Sequence, residues 1–548
     1  MSWRALVRAR MAPLLALALA LAACTAGEPA SRPLTMRPTA AASQTELPAG
    51  GTLRWAIQEP EGIVPPRAVE SDGQLVTDAL FDSLTRVEAD GSVSPLAASS
   101  WQMDDRGQRW IFTLARDAVF HDGSPVTAGD FALSWNLAAR ALATGFHLRD
   151  VQGFDAVAAG EATQLEGLVV RGRRVLEVRL ARPRADFASV VAHPTLGPVQ
   201  ASAWEADASG YQRRPIGNGP FRMAEPWAHE QFVRLVPARE QAAPDAVTEV
   251  LFRIVDPATA YVAFQQGRLD ITTVPSGALQ DALERYGTAS LIERETGVVR
   301  LGQPSLSFLG FDTAQPPFDD GDVRRGVSLA IDRDLLAAAV REGNVSGARA
   351  VVPPALPGYQ AGACEACVYD PDRAARLFAR AGVSELTLWS SADGGNEALL
   401  DRLATDLRAV GVSLRVRQLP FERHLAALEA GRAGFYHFGW AAEYVTADDI
   451  LVPLFHSAAN PKEGGANYGR FADERVDALL DAARRTEARG DRGELLRRVE
   501  RIVLSQQVIV PLFTAQHRLL VAPRVRALEL DPFGRPRFAQ IRLGPPSS

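Results

Sequence analysis

The sequence predicts an α/β protein, and three stretches carry that expectation. Asp370-Pro371-Asp372-Arg373 frames a helix start: Asp370 can cap, Pro371 suits the first turn, Leu377 and Phe378 face inward, and Gly382 can end it. Leu403, Leu407 and Val410 form a helical stripe that stops at Gly411. Val412, Leu414 and Val416 then alternate with Ser413, Arg415 and Arg417 as a strand. Trp110, Phe112 and Leu114 alternate in the same way, as do Leu176, Val178 and Leu180, so both read as half-buried strands. Helix followed by strand, repeated, predicts a sheet held between helices. No tandem repeat of solenoid period is visible.

The N-terminus carries an address. Arg4, Arg8 and Arg10 precede an apolar run over 12–21, about ten residues long, as in a secretion signal. A membrane span needs about 20. Leu21-Ala22-Ala23-Cys24 then resembles the lipobox of bacterial lipoproteins, in which the cysteine is acylated and becomes the N-terminus. An ordinary secretion signal with a chance cysteine is the alternative. Residues 25–49, rich in Ala, Thr, Ser and Pro, cannot bury a core and read as a flexible tether. Folded structure is expected to begin near Thr52-Leu53-Arg54-Trp55-Ala56-Ile57.

With 548 residues, 47% hydrophobic and 23% charged, the chain is globular and long enough for two or three domains. A net charge of −6 without a basic block argues against nucleic acid. There is no phosphate loop of the Walker type, no His-Glu-x-x-His and no Gly-x-Ser-x-Gly. The eight histidines are scattered. No enzyme activity, cofactor or metal is therefore expected. An extracytoplasmic hydrolase is a minor alternative, since paired carboxylates cannot be located by spacing in a chain this size. Cys364 and Cys367 form Cys-x-x-Cys in a loop, where an extracytoplasmic setting predicts a local disulfide. A thioredoxin-type motif would open a helix after a strand, and zinc would need a second Cys/His pair.

Several phrases, in order, resemble the solute-binding proteins of bacterial ABC importers, specifically the oligopeptide- and dipeptide-binding family. They are Phe120-His121-Asp122-Gly123-Ser124-Pro125-Val126-Thr127-Ala128-Gly129-Asp130-Phe131, preceded by Leu96-Ala97-Ala98-Ser99-Ser100-Trp101; Gly217-Asn218-Gly219-Pro220-Phe221; Gly267-Arg268-Leu269-Asp270-Ile271; Pro317-Phe318-Asp319-Asp320, with Val323-Arg324-Arg325 and Ala330-Ile331-Asp332-Arg333; then Val352-Pro353-Pro354 and Tyr369-Asp370-Pro371. The resemblance covers nearly everything after Gly51. It implies a bilobal, periplasmic-binding-protein-like (type II) fold with an extra inserted lobe and a ligand cleft between lobes. The implied division is 1–23 signal peptide, 24–50 tether, 48–84 with 193–299 and 513–548 as lobe I, 85–192 as inserted lobe II, and 300–512 as lobe III.

The resemblance also implies a site. Gly439-Trp440-Ala441-Ala442-Glu443-Tyr444 is similar to a family phrase whose acidic residue pairs with the amino group of a bound peptide, and Glu443 holds that place. A carboxylate shut in a cleft is costly unless a cation satisfies it, which a ligand ammonium would. Three departures stand out. The acid is Glu where Asp is usual, the following Asp-Pro is absent, and His437 stands where peptide binders often have an arginine. A histidine grips a carboxylate less well than a bidentate guanidinium. Trp440 is expected to wall the cleft or fill the core, Tyr444 to lie beside Glu443, and Glu59 to sit on a first-lobe loop that touches ligand. Phe421 stands near the pocket or in the core.

The function implied is an extracytoplasmic receptor that captures peptides and delivers them to membrane permease subunits driven by a separate ATPase. It would be monomeric, and tied by lipid at Cys24 to the outer face of the cytoplasmic membrane or in the periplasm. The alternatives are a non-peptide solute (an oligosaccharide, a metal chelate or an opine-like compound) and a non-transport regulator of the envelope.

Overall fold

The computed structural model describes residues 50–545, apart from 105–106, 142–143, 241–242, 276, 290–296, 341–344 and 464. The signal segment, Cys24 and the tether lie outside the described residues. No helix among the described residues is long and apolar enough to cross a membrane.

A mixed sheet of twelve strands forms the spine among the described residues. It runs from Ser413–Leu419 through Glu385–Ser391, Phe435–Ala441 and Ser305–Phe311 to the long strand Ile509–Val521. It then continues through Ile271–Thr273, Gly51–Ile57, Val247–Ile254, Phe232–Pro237 and Phe221–Met223. The long strand also pairs with Gly297–Gly302 and Val345–Gly347. It is thus shared by two halves: its first residues bond Ser305–Phe311, its last bond Ile271–Thr273. A separate four-stranded antiparallel sheet is built from Ala98–Met103, Arg109–Leu114, Val175–Arg179 and Leu168–Val170.

The buried apolar residues divide accordingly. One core spans Leu53 to Phe81, Phe221 to Phe252 and Val521 to Leu543. A second runs from Leu84 to Leu196 around the four-stranded sheet and takes in one outsider, Tyr444. Two more lie on opposite faces of the remaining sheet, between Leu306 and Leu512. We refer to these as the first lobe, the inserted lobe and the third lobe.

Local chemistry explains the elements. Asp370 accepts from the Arg373 amide at 3.0 Å, Pro371 opens the helix, and Gly382 closes it at φ 67°, so the helix is Pro371–Ala381. Leu403 and Leu407 are fully buried on Glu397–Ala409, as the stripe predicts. The following strand, Ser413–Leu419, differs from a half-buried one: it lies at the sheet edge and Val416 is exposed. An edge strand has only one neighbour to cover it. Thr127 and Asp130 make a reciprocal capping box at the head of Ala128–Arg140.

The ordered phrases are joints of this scaffold. The His121 amide donates to Gly217 O, Gly217 N–H donates to His121 Nδ1 at 3.1 Å, and His121 Nε2–H donates to Gly219 O at 3.1 Å. Asn218 bonds both the amide and the carbonyl of Asp82. Asp270, fully buried, accepts from Arg54 N, Nε and Nη2 at 2.8, 3.0 and 2.7 Å. Arg333 spends its guanidinium on Pro511 O, Ser328 O and Cys367 O, and burial lowers its pKa to about 9. Cys364 and Cys367 are joined by a disulfide, with Cα atoms 5.3 Å apart, buried in the third-lobe core.

Candidate functional site

Strand Phe435–Ala441 organises the region around Glu443. Successive side chains on a strand point to opposite faces. Tyr436, Phe438 and Trp440 therefore enter one core, while His437 lies on the other face. Period-two geometry puts His437 and Trp440 on opposite faces of the strand. Trp440 is 4% exposed and donates its indole N–H to Asp449 O at 2.8 Å, which places the ring in the core. His437 Nε2 is 2.9 Å from Ser307 Oγ and Nδ1 is 3.4 Å from Ser390 Oγ. Phe421 is buried in the same core as Trp440.

Glu443 follows the strand. Its amide donates to Asp449 Oδ2 at 2.7 Å, and Asp449 Oδ1 lies 3.8 Å from Arg149 of the inserted lobe. Tyr444, 1% exposed, packs into the inserted-lobe core, and its hydroxyl is 3.2 Å from His147 Nδ1. Glu59 belongs to a different arrangement: it is exposed, 2.7 Å from His229 Nδ1, and accepts from the Glu230 amide at 2.9 Å.

The inserted lobe brings residues that no motif contains. His147 sits in a short 3-10 turn and His193 caps another, both buried. Their rings lie 4.0 Å apart, centre to centre. One ring nitrogen of each and a Glu443 carboxylate oxygen fall within 4.8 Å of one another. Burial, and then the charge of Arg535, holds the His193 imidazole well below its ordinary pKa.

Beside them lies a buried ionic knot. Arg184, 1% exposed, reaches Asp150 at 2.8 Å and Asp186 at 3.0 Å, and Arg484 of the third lobe reaches Asp150 at 3.3 Å. Burial alone would raise the Asp150 carboxyl; Arg484, Arg184 and Arg149 outweigh it and hold the pKa well below the usual range. These residues were not legible in sequence, because neither local spacing nor any motif links positions 147, 184 and 193 to 443.

A cavity of about 780 Å³ lies between the first lobe, the inserted lobe and the C-terminal segment. Its wall carries acids, among them Asp78 and Asp82, and guanidinium groups, among them Arg86, Arg239 and Arg535. Burial raises both Asp78 and Asp82 to about 7; Arg535 opposes the rise at Asp78. Ala192, next to His193, also lines it.

Two lobes sharing one long strand, a third inserted into the first, and charged groups meeting between them define a bilobal binding protein. The sequence matches the model for bacterial extracellular solute-binding proteins, family 5, over residues 92–462. The chain belongs to that family. It is 27% identical to the probable deoxycholate-binding periplasmic protein YgiS of Escherichia coli, over 89% of this chain and 92% of that one. It is 26% identical to probable di/tripeptide-binding protein 5 of Pseudomonas aeruginosa, over 85% and 90%. Among solved structures, HbpA2 from Haemophilus parasuis superposes with a TM-score of 0.78 at 21% identity, covering 90% of this chain and all of that one. The unliganded open form of the murein-tripeptide-binding protein MppA gives 0.77 at 21%, over 91% and 99%. The fold is the periplasmic-binding-protein-like α/β fold of these structures.

Proposed function

We propose that this protein is the extracytoplasmic receptor of an ABC importer and that it captures short peptides between its lobes. The observation that carries this reading is the cavity of about 780 Å³, which combines carboxylates with guanidinium groups on one wall. Such a wall complements a zwitterion, and the volume falls within the range of ordinary small-ligand pockets. Relatives described as di/tripeptide-binding and dipeptide-binding, and a solved family structure holding the peptide STSA, support the choice of ligand class. Glu443 does not itself line this cavity, but its charge acts on Arg535, which does, and it is the proposed partner of the peptide amino group.

In this reading Cys24 carries the lipid, residues 25–49 form the tether, and the monomeric receptor hands its cargo to permease subunits powered by a separate ATPase. Two lipid chains or more are needed for stable anchoring, since one binds only marginally. Calorimetric titration of the purified chain with di- to hexapeptides, and with deoxycholate in parallel, tests the ligand class. Peptide binding weakened by Glu443→Gln is the expected result. Binding of deoxycholate with no peptide response would overturn the peptide reading.

A further inference from the structure

We propose that His147, His193 and Glu443 form a binding site for a divalent first-row transition-metal ion, linking the inserted lobe to the third lobe. The argument is geometric. Among the described residues, these three place a ring nitrogen, a second ring nitrogen and a carboxylate oxygen within 4.8 Å of one another. Two imidazoles and one carboxylate are a donor set suited to zinc, nickel, cobalt, copper or iron, not to calcium or magnesium. Bonds of about 2.0–2.2 Å would set the ligand atoms about 3.4 Å apart in a tetrahedron. Metal binding then draws the three groups together by up to about 1.4 Å.

The surroundings fit ligation through Nε2. His147 Nδ1 faces the Tyr444 hydroxyl at 3.2 Å, and His193 Nδ1 faces Thr195 Oγ1 at 2.8 Å. An oxygen on the far ring nitrogen fixes the tautomer and aims the ring in most histidine metal sites. The weak bond from the Thr195 amide to His193 Nδ1, 3.3 Å long, would be given up in that tautomer. Arg535 is an opposing charge that acts on both His193 and Glu443. It is offset by Asp531 at 2.9 Å and Asp78 at 3.8 Å. Three protein ligands leave at least one coordination position, which water or a donor atom of the cargo can take.

The inference shares Glu443 with the peptide reading but needs no peptide. Tag-free protein stripped with EDTA is titrated with Zn2+ by calorimetry and with Co2+ by visible absorption, no peptide being present. One equivalent is expected to bind, with the Co2+ bands of a low-coordinate site. His147→Ala, His193→Ala and Glu443→Gln are each expected to weaken binding by ~100-fold or more. Tyr444→Phe removes only a hydroxyl and is expected to weaken it by about 10-fold while the chain still folds. Absence of stoichiometric binding to the wild-type chain, or equal binding by the two alanine variants, overturns the site and leaves two histidines in packing contact. Peptide titrations run in EDTA report on the receptor reading separately, so peptide binding without metal binding removes this inference alone.

Discussion

The guanidinium of Arg184 lies 4.7 Å from the centre of the Tyr444 ring, so a buried cation of the inserted lobe faces an aromatic carried by the third lobe. The same guanidinium answers Asp150 and Asp186. Removing it takes the ion-pair partner from buried Asp186 and leaves buried Asp150 with Arg484, and breaking such a set costs about 3–5 kcal/mol. Arg184→Ala is therefore expected to lower the denaturant midpoint by that equivalent, with an unchanged slope. A loss under about 1 kcal/mol would mean that Arg484 alone compensates Asp150.

Trp440 separates packing from ligand contact. Trp440→Phe keeps an aromatic ring in the core but leaves Asp449 O without its indole donor. A loss of about 1–3 kcal/mol of stability is expected, with peptide affinity within about twofold of wild type. Calorimetry and thermal melts on one preparation measure both. A large fall in affinity at constant stability would put the ring at the ligand instead.

The turn at Gly217 is limited by space. A Cβ there would lie 1.9 Å from Leu80 O, and backbone cannot yield as a flexible side chain can. Gly217→Ala is expected to destabilise by about 1–3 kcal/mol or more, through forced separation of the turn from the helix Ser71–Leu80. Gly267→Ala serves as a contrasting case. Nothing lies near its Cβ, and only the strain of its positive φ, 69°, is added.

Glu500 gives the fold a pH dependence. Its carboxylate accepts from the Val351 and Val352 amides at 2.7 and 2.8 Å, yet burial outweighs these bonds and raises the pKa from 4.5 to about 7. A carboxyl with a raised folded pKa binds its proton more tightly in the native state. Its contribution is full below about pH 4.5 and is lost as the pH rises through about 7. The loss is at most about 3 kcal/mol. Glu500→Gln is expected to flatten this part of the stability profile, as read by melting curves of both chains between pH 4.5 and 8.

The family phrases proved legible because each is a short contiguous run of capping, turn-forming or arginine residues, even where its partner lies far away in the chain. His121 locking onto Gly217 and Gly219 is one such joint, and Arg333 gripping Pro511 is another. The helix at Pro371 was readable down to its cap. What surrounds Glu443 was not. His147, His193 and Arg184 come from an inserted lobe whose own pattern concerns only its private sheet, and their meeting with Glu443 depends on how that lobe docks. That His437 and Trp440 face opposite ways follows from strand alternation once the strand Phe435–Ala441 is assigned, which selects the core among the two places open to Trp440.

The strand Ile509–Val521 has a further implication for how the molecule comes into being. It bonds partners from residue 271 to residue 347, all of which precede it by a long stretch of chain. Neither half of the spine can complete its hydrogen bonding until that stretch emerges. Contacts of such long sequence separation are slow to form. Closure of the whole spine therefore waits on a single strand that follows all of its partners in the sequence.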